Sequence, residues 1–294
     1  IISIAIIVLG IGIGMIRGYN YGIDFTGGTM MQIDIGKPVN ETVLNDLQAV
    51  LSGDNIDADL VVAGKEGDQV IIKTIQALDT AAREKVLSDI FAKFNLNDDS
   101  VMTIEQFGPS VGDMLKKNAV KAVIIASIGM LIYISIRFEW KFGLASIIAV
   151  LHDVFILIAF YGIFHMTINN PFIAAVLTIV GYSIMDTIVI FDRIRENLDI
   201  MKRSKLEELI DHSINQTLGR SLMTSVATVI AIIPLCIMGG ETIRNFTLPL
   251  IIGIVAGTGS SIYIASPLYY QLCIAAGSSK YKAGKSKSKN KSRD

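Results

Sequence analysis

Six long apolar blocks run through the chain, and they constrain its fold more than any other feature. They cover residues 1–16, 119–136, 142–164, 172–191, 222–238 and 247–276. A helix needs about 20 apolar residues to cross the hydrocarbon core of a bilayer, and only the first block is clearly shorter. That block has neither the charged start nor the cleavage site of a signal peptide. The sequence therefore predicts an α-helical polytopic membrane protein with six transmembrane helices, of which the first is truncated.

Charge is distributed unevenly between the apolar blocks, and this predicts the orientation in the membrane. Residues 17–113 contain 16 Asp and Glu but only 7 Lys and Arg, whereas residues 193–220 contain six basic residues. Short loops rich in Lys and Arg stay in the cytoplasm. We therefore predict a cytoplasmic loop near 193–220 that forms an amphipathic helix on the membrane surface, with Leu206, Leu209 and Ile210 on one side. The acidic region is predicted to be extracytoplasmic, as a periplasmic domain would be.

The last segment, 277–294, forms a basic tail that is predicted to be cytoplasmic. Seven Lys and Arg lie within residues 280–293. Such a run is typically attracted to anionic membrane lipid, and this interpretation is favoured over contact with nucleic acid. The predicted domain organisation is thus helix 1 at 1–16, the outer domain at 17–115, helices 2–6 within 116–276, and the tail.

The acidic region shows the pattern of a small α+β domain inserted between helices 1 and 2. Strands are predicted at 28–35, 59–63, 69–75 and 100–107, and helices at 40–51 and 79–94. Asn40 and Asp79 are suited to cap the two helices. The order β-α-β-β-α-β is that of a ferredoxin-like sandwich, in which two helices cover one face of an antiparallel sheet.

Asp186 is a carboxylate within the fourth apolar block. A charge at the centre of a membrane costs at least about 2.5–3.5 kcal/mol, so it needs a partner, a water-filled cavity or a function. A carboxyl that takes up and releases a proton as access alternates is the simplest device for drawing on a proton gradient, although a carboxylate serves Na⁺ equally well. The alternative is a structural carboxylate that hydrogen-bonds a neighbouring helix.

Arg220, at the start of the fifth block, is the candidate partner of Asp186. Asp186 lies about 9 Å inside the boundary predicted at Asp192, at about 1.5 Å per residue, and an extended arginine from the next helix reaches that depth. The alternative is an ordinary positive-inside anchor. Thr224 and Thr228 follow one and two turns later and either continue a polar track, as relay helpers, or only pack the helices.

Asp153 and His152 form a second polar position, in the middle of the third block. Asp153 is a candidate second member of the ion or proton relay, with His152 as a helper. The alternative is interhelical hydrogen bonding that fixes the bundle. Cys236 and Cys273 lie in separate apolar blocks without the spacing of a metal or redox site. The sequence shows no nucleotide-binding loop, nucleophile with a base, or metal cluster, so we expect neither an enzyme nor a cofactor or metal.

Several of these segments resemble the SecF family of protein-export membrane subunits, within the resistance-nodulation-division superfamily. The matching segments occur in the family's order: 22–28 (GIDFTGG), 107–112 (FGPSVG), 152–153 (HD), 181–197 (GYSIMDTIVIFDRIREN) and 216–225 (QTLGRSLMTS). The family-motif residues around the outer domain are Gly22, Asp24, Phe25, Gly27, Gly28, Gly108, Pro109 and Gly112.

The resemblance implies a subunit of the bacterial cytoplasmic membrane that pairs with a SecD-like subunit as a heterodimer. It implies that the pair uses the proton-motive force to assist Sec-dependent export of unfolded polypeptides from the SecYEG translocon, with YajC as a further candidate partner. It also implies that Asp186 is the intramembrane carboxylate and Arg220 the basic residue across from it. Two alternatives stay open: a scaffold subunit in which Asp186 is only structural, and a small-molecule exporter of the same superfamily.

Overall fold

The computed structural model describes residues 2–64, 66–201 and 205–276. The predicted basic tail, 277–294, lies outside the described residues.

The outer region has the order of elements that the sequence predicts. After helix α1 (Ile2–Arg17) and a short helix α2 (Ile23–Thr26), strand β1 (Gly28–Asp34) leads to helix α3 (Glu41–Gly53). Strands β2 (Asp59–Ala63) and β3 (Gln69–Thr74) precede helix α4 (Thr80–Phe94), a 3₁₀ turn (Asp98–Ser100) and strand β4 (Val101–Phe107). Helix α2 has a single turn and was not predicted.

The four strands form one antiparallel sheet with the order β2-β3-β1-β4. Helices α3 and α4 cover one face of it, because alternate strand residues point to the same side. Met31, Ile33 and Ile72 from the sheet are buried with Leu47 of α3 and Ile90 of α4 in one apolar cluster. This cluster is the core of the outer domain.

Both predicted helix caps of the outer domain are confirmed. The Asn40 side chain accepts a hydrogen bond from Val43 N at 3.0 Å, and the Asp79 side chain accepts one from Ala82 N at 2.8 Å. Each satisfies a backbone donor that the first turn of a helix leaves without a partner. Two Asp–Lys pairs, Asp46–Lys93 and Asp54–Lys85, also link the domain's helices, and hydrogen bonding to Asp54 raises the pKa of the exposed Lys85.

Helices α5 to α10 make up the rest of the described chain. They are α5 (Pro109–Arg137), α6 (Trp140–Phe164), α7 (Asn170–Ile200), α8 (Leu206–Met238), α9 (Glu241–Ser260) and α10 (Ser266–Ala275). The π-helical segment Ser261–Ala265 joins α9 to α10. Counting α9 to α10 as one element, five described helices are long and apolar enough to cross a membrane, while α1 is a shorter apolar helix.

The amphipathic helix predicted within 193–220 is present as the ends of the long helices α7 and α8, and not as a separate element. Helix α7 continues to Ile200 and α8 begins at Leu206, so almost all of this segment prolongs the two long helices. Leu206, Leu209 and Ile210 are buried in the same apolar cluster as Phe191 of α7. Their apolar stripe covers the end of the bundle instead of a membrane surface, and periodicity alone does not distinguish these two environments.

Helix α1 packs closely along α6 through small residues. An ideal Cβ added to Gly10 would lie 2.5 Å from the carbonyl oxygen of Ala159, and one added to Gly162 would lie 2.5 Å from the carbonyl oxygen of Gly10. Real Cβ atoms do not approach so closely, so glycine allows the two backbones to touch. Gly12, on the same helix, has open space around it.

We predict that Gly10→Ala destabilises the protein, because the added methyl group would force α1 away from α6. Overpacking of this kind costs about 1–3 kcal/mol, measurable as a lower thermal unfolding midpoint in detergent. Gly12→Ala is the matched control and should leave the midpoint unchanged or raise it slightly, since alanine favours the helix. Equal effects of the two substitutions would contradict the close approach.

Candidate functional site

A cavity of about 300 Å³ lies between α7 and α8. Its lining residues follow one face of each helix: Tyr182, Met185, Asp186 and Val189 from α7, and Arg220, Ser221, Thr224 and Thr228 from α8. The positions recur at intervals of three and four residues, as the helical period requires. Four predicted site residues (Asp186, Arg220, Thr224 and Thr228) therefore lie around one cavity.

Asp186 is the buried carboxylate of this cavity. The residue is only 8 % exposed, and its Oδ2 atom has no hydrogen-bond partner. Ser221 interacts with the carboxylate from α8, but the Ser221 hydroxyl does not complete a hydrogen bond of normal geometry. Asp186 is thus buried with one carboxylate oxygen that lacks a hydrogen-bond partner, which is uncommon for a buried polar atom.

Arg220 lines the same cavity but forms no ion pair with Asp186. Contacts of Tyr182 with Thr228 and of Asn197 with Ser213 fix the antiparallel register of α7 and α8. In this register Asp186 lies at the level of Thr224, and Arg220 lies about one turn, roughly 6 Å, nearer the C-terminal end of α7. The arginine is exposed and is close enough for a change in its side-chain conformation to alter the field at the carboxylate.

The two threonines of the cavity bond mainly to their own helix. Thr224 Oγ1 donates to the carbonyl oxygens of Arg220 and Ser221, both at 3.0 Å. Thr228 Oγ1 donates to Thr224 O at 2.8 Å and lies 3.2 Å from the hydroxyl of Tyr182. The Tyr182–Thr228 contact is thus a polar link between α7 and α8 at the end of the cavity away from Arg220.

Asp153 lies outside this cavity, in a separate network at the centre of the bundle. It is fully buried, and its Oδ2 accepts hydrogen bonds from Ser183 of α7 at 2.6 Å and from Ser260 of α9 at 2.8 Å. Two short donors from two helices satisfy this oxygen. The arrangement corresponds to the alternative of interhelical hydrogen bonding that fixes the bundle.

His152 is next to Asp153 both in sequence and in space. Its Nδ1 atom lies 3.2 Å from Asp153 Oδ1, while its Nε2 atom is buried without a hydrogen-bond partner. The histidine therefore contacts the Asp153 network and not the Asp186 cavity. The predicted relay residues fall into two groups on different faces of α7.

Residues 20–28 connect the outer domain with the start of α7. Gly22 N donates to Ile168 O at 2.8 Å, and Ile168 N donates to Asn20 O at 2.8 Å. Asp24 Oδ2 accepts from the backbone N–H of Asn170, at 2.7 Å, in the first turn of α7. A carboxylate stabilises a helix N-terminus both by this bond and through the helix dipole.

The other family-motif residues complete the same junction. Phe25 is buried in an apolar cluster with Tyr161 of α6 and Phe172 of α7. Gly27 and Gly28 both have positive φ angles, and a Cβ on Gly28 would collide with Thr74 O of β3. A Cβ on Gly112 of α5 would lie 2.6 Å from Phe25 O. Helix α5 begins at Pro109, directly after Gly108, so the two predicted motifs meet at the base of the outer domain.

Sequence reasoning missed Tyr182, Ser183, Ser221 and Ser260 as candidate site residues. Tyr182 and Ser221 could have been found from the helical period, because they lie one turn from Asp186 and Thr224 respectively. Ser183 and Ser260 could not, since their role depends on which helices are neighbours in the bundle.

Comparison with known protein families shows which family this chain matches. The family described as "Protein export membrane protein SecD/SecF, C-terminal" matches residues 86–274, and the "SecD/SecF GG Motif" matches residues 15–39. The chain belongs to the SecD/SecF family. The second match contains Gly22, Asp24, Phe25, Gly27 and Gly28, so the family motif corresponds to the junction between the outer domain and α7.

Relatives and solved structures agree with this assignment to the SecD/SecF family. The chain is 42 % identical over 258 residues to the protein translocase subunit SecF of Sebaldella termitidis, covering 87 % of this chain and 83 % of that one. It is 40 % identical over 273 residues to the SecDF of Thermus thermophilus, covering 88 % of this chain but only 35 % of that protein. The crystal structure of Thermus thermophilus SecDF matches with a TM-score of 0.80 at 37 % identity, covering 92 % of this chain and 37 % of that one.

The relatives also identify this SecD/SecF-family chain as a multi-pass protein of the inner membrane, in agreement with its apolar helices. The chain spans most of the length of the SecF relatives, and about a third of the length of the SecDF proteins.

We predict that Asp24→Ala weakens the first turn of α7, because the N–H of Asn170 loses its acceptor. The expected loss is about 1 kcal/mol, equivalent to about fivefold faster hydrogen exchange at the start of α7. Asp34→Ala is the control: its carboxylate accepts a bond from Gly36 N in the same domain but does not contact α7. Exchange at the start of α7 that responds equally to both substitutions would contradict the junction.

Proposed function

We propose that this chain is the SecF component of a translocase and couples export to an ion gradient through Asp186. Membership of a protein translocase complex follows from the SecF and SecDF relatives and the SecDF structural match. Coupling to the proton-motive force goes further. The observation that carries it is the carboxylate of Asp186, buried beside a cavity with an oxygen that has no hydrogen-bond partner.

The cavity offers space for the water molecules through which a titrating carboxyl exchanges protons. A space of about 300 Å³ has room for several waters, each occupying about 30 Å³ in the liquid, and these waters would carry protons to and from Asp186. Proton uptake removes the charge whose presence in the membrane is costly. Arg220, one turn away, would favour the charged form when its side chain approaches. Asp153, with two short serine donors, is better suited to holding α6, α7 and α9 together.

The proposed topology has six spans and an outer domain. We propose that α1 crosses the membrane beside α6, together with the five longer helices, and that the C-terminus is cytoplasmic. The basic residues near 193–220 support this orientation. The strand order β2-β3-β1-β4 with two helices on one face supports a ferredoxin-like fold for the domain, which we propose to be extracytoplasmic.

The SecDF relatives, in which both parts share one name, imply a SecD-type partner. We further propose that the pair acts beside the SecYEG translocon, with YajC as a further candidate, on exported unfolded polypeptide. In this proposal the chain is not an enzyme: its chemistry is proton transfer coupled to movement.

We predict that Asp186→Asn abolishes the stimulation of export by a proton gradient, because asparagine keeps the shape but does not titrate. The assay is translocation in proteoliposomes that contain the translocase, the SecD-type partner and this chain, with and without an imposed gradient. Asp192→Asn, six residues further along α7 and normally paired with Arg195 at 3.0 Å, is the matched control and should retain stimulation. Full stimulation with Asp186→Asn would instead favour the scaffold alternative.

The coupling ion is tested by replacing the pH gradient with a sodium gradient of the same magnitude. We expect the wild-type complex to respond to the pH gradient, since the site offers one carboxylate and no further acidic ligand among the residues that line the cavity. A response to sodium at uniform pH would show that Asp186 serves Na⁺.

A further inference from the structure

We infer that the Tyr182 hydroxyl acts as a latch: by donating a hydrogen bond to Thr228, it closes the end of the Asp186 cavity away from Arg220. This inference rests on the proposed route through Asp186 and names a residue that regulates it. Tyr182 lies one helical turn before Asp186, on the same face of α7, and also lines the cavity.

The direction of the hydrogen bond follows from counting protons. A threonine hydroxyl has one proton to donate, and Thr228 Oγ1 already donates to Thr224 O at 2.8 Å. At its 3.2 Å contact with Tyr182 the threonine therefore accepts, and the tyrosine donates. The bond connects α7 to α8 and depends on both side chains.

The same count of donated protons distinguishes the hydroxyl of Tyr182 from those of Thr224 and Thr228. Thr224 and Thr228 both donate to carbonyl oxygens of α8, so neither passes a proton along the cavity without breaking a bond within its own helix. Of these three hydroxyls only that of Tyr182 is not committed to a backbone carbonyl. It is free to turn from Thr228 toward cavity water, which breaks one interhelical bond.

The length of the bond suits a latch that opens. O–H···O hydrogen bonds are typically about 2.7–2.8 Å long, and the Tyr182–Thr228 contact is longer, at 3.2 Å. The closed state is therefore weakly held. Opening this end while Asp186 is deprotonated would allow proton uptake from the side away from Arg220, which is the extracytoplasmic side in the proposed topology, whereas the closed state hinders that uptake.

The test measures proton entry into proteoliposomes that contain this chain and its SecD-type partner, with a trapped pH-sensitive dye and no export substrate. Tyr182→Phe keeps the ring and removes the hydroxyl. We expect it to raise the rate of proton entry after an acid jump about twofold, the shift that loss of a hydrogen bond at the weak end of the usual range produces. Thr228→Val removes the acceptor and should have the same effect.

The double variant Tyr182→Phe/Thr228→Val should leak no faster than either single variant, because both remove the same bond. Thr228→Ser keeps the hydroxyl and should restore slow entry. The control is Thr178→Val. Thr178 also lies on α7, and its hydroxyl donates only to Ala174 O, so this variant should not raise the rate of proton entry. Unchanged entry in both single variants, or additive effects in the double variant, would overturn the latch.

A further variant separates the latch from the proposed function. Asp186→Asn combined with Tyr182→Phe should return proton entry to the wild-type rate, because the route passes through the carboxyl. A leak that persists in this variant overturns the latch as part of that route. Failure of the proposed function is detected separately, by gradient-stimulated export that survives Asp186→Asn alone.

Discussion

Helix α7 buries polar side chains within an apolar helical bundle. Because bulk water does not reach them, each side chain needs a hydrogen-bond partner on a neighbouring helix. Ser183 donates to Asp153 of α6, Thr187 shares a hydrogen bond with Ser261 after α9, and Asn197 donates to Ser213 of α8. An unsatisfied polar group costs several kcal/mol in hydrocarbon, so each of these side chains needs its partner. The bundle is thus arranged around α7, with a polar contact to each adjoining helix.

The two buried aspartates of the helical bundle differ in their surroundings. Asp153 is completely enclosed and accepts two short hydrogen bonds from serines on separate helices, so its environment is matched to one fixed state. Asp186 lies three residues after Ser183 on α7, beside the cavity between α7 and α8, with an oxygen that has no hydrogen-bond partner. This difference supports the proposal that Asp186, and not Asp153, is the group that takes up and releases a proton.

The sequence predicted most of the fold because its signals were local. Strand alternation, the Asn40 and Asp79 caps and the apolar blocks each depend on a few neighbouring residues, and each was found at or near the predicted position. The stripe of Leu206, Leu209 and Ile210 was misassigned because an apolar face looks the same whether it meets lipid or another helix. The serine donors to Asp153 were missed for a related reason, since a sequence does not state which helices touch. The sequence did predict that Asp186 and Arg220 lie at one site. This was possible because the consecutive helices α7 and α8 form a simple antiparallel hairpin.

The contact between Asp24 and the first turn of α7 bears on how movement of the outer domain and protonation of Asp186 are related. The outer domain contacts the first turn of α7 at Asn170, and Asp186 lies 16 residues, or about 24 Å, further along the same unbroken helix. In the proposed function, a displacement of the domain would therefore tilt or shift α7 and the Asp186 carboxyl with it. Thermodynamic linkage is reciprocal: if domain position changes how readily Asp186 takes up a proton, then proton uptake must change the preferred domain position by the same free energy. In the proposed function, movement of the domain and proton uptake at Asp186 would then be the two directions of a single equilibrium.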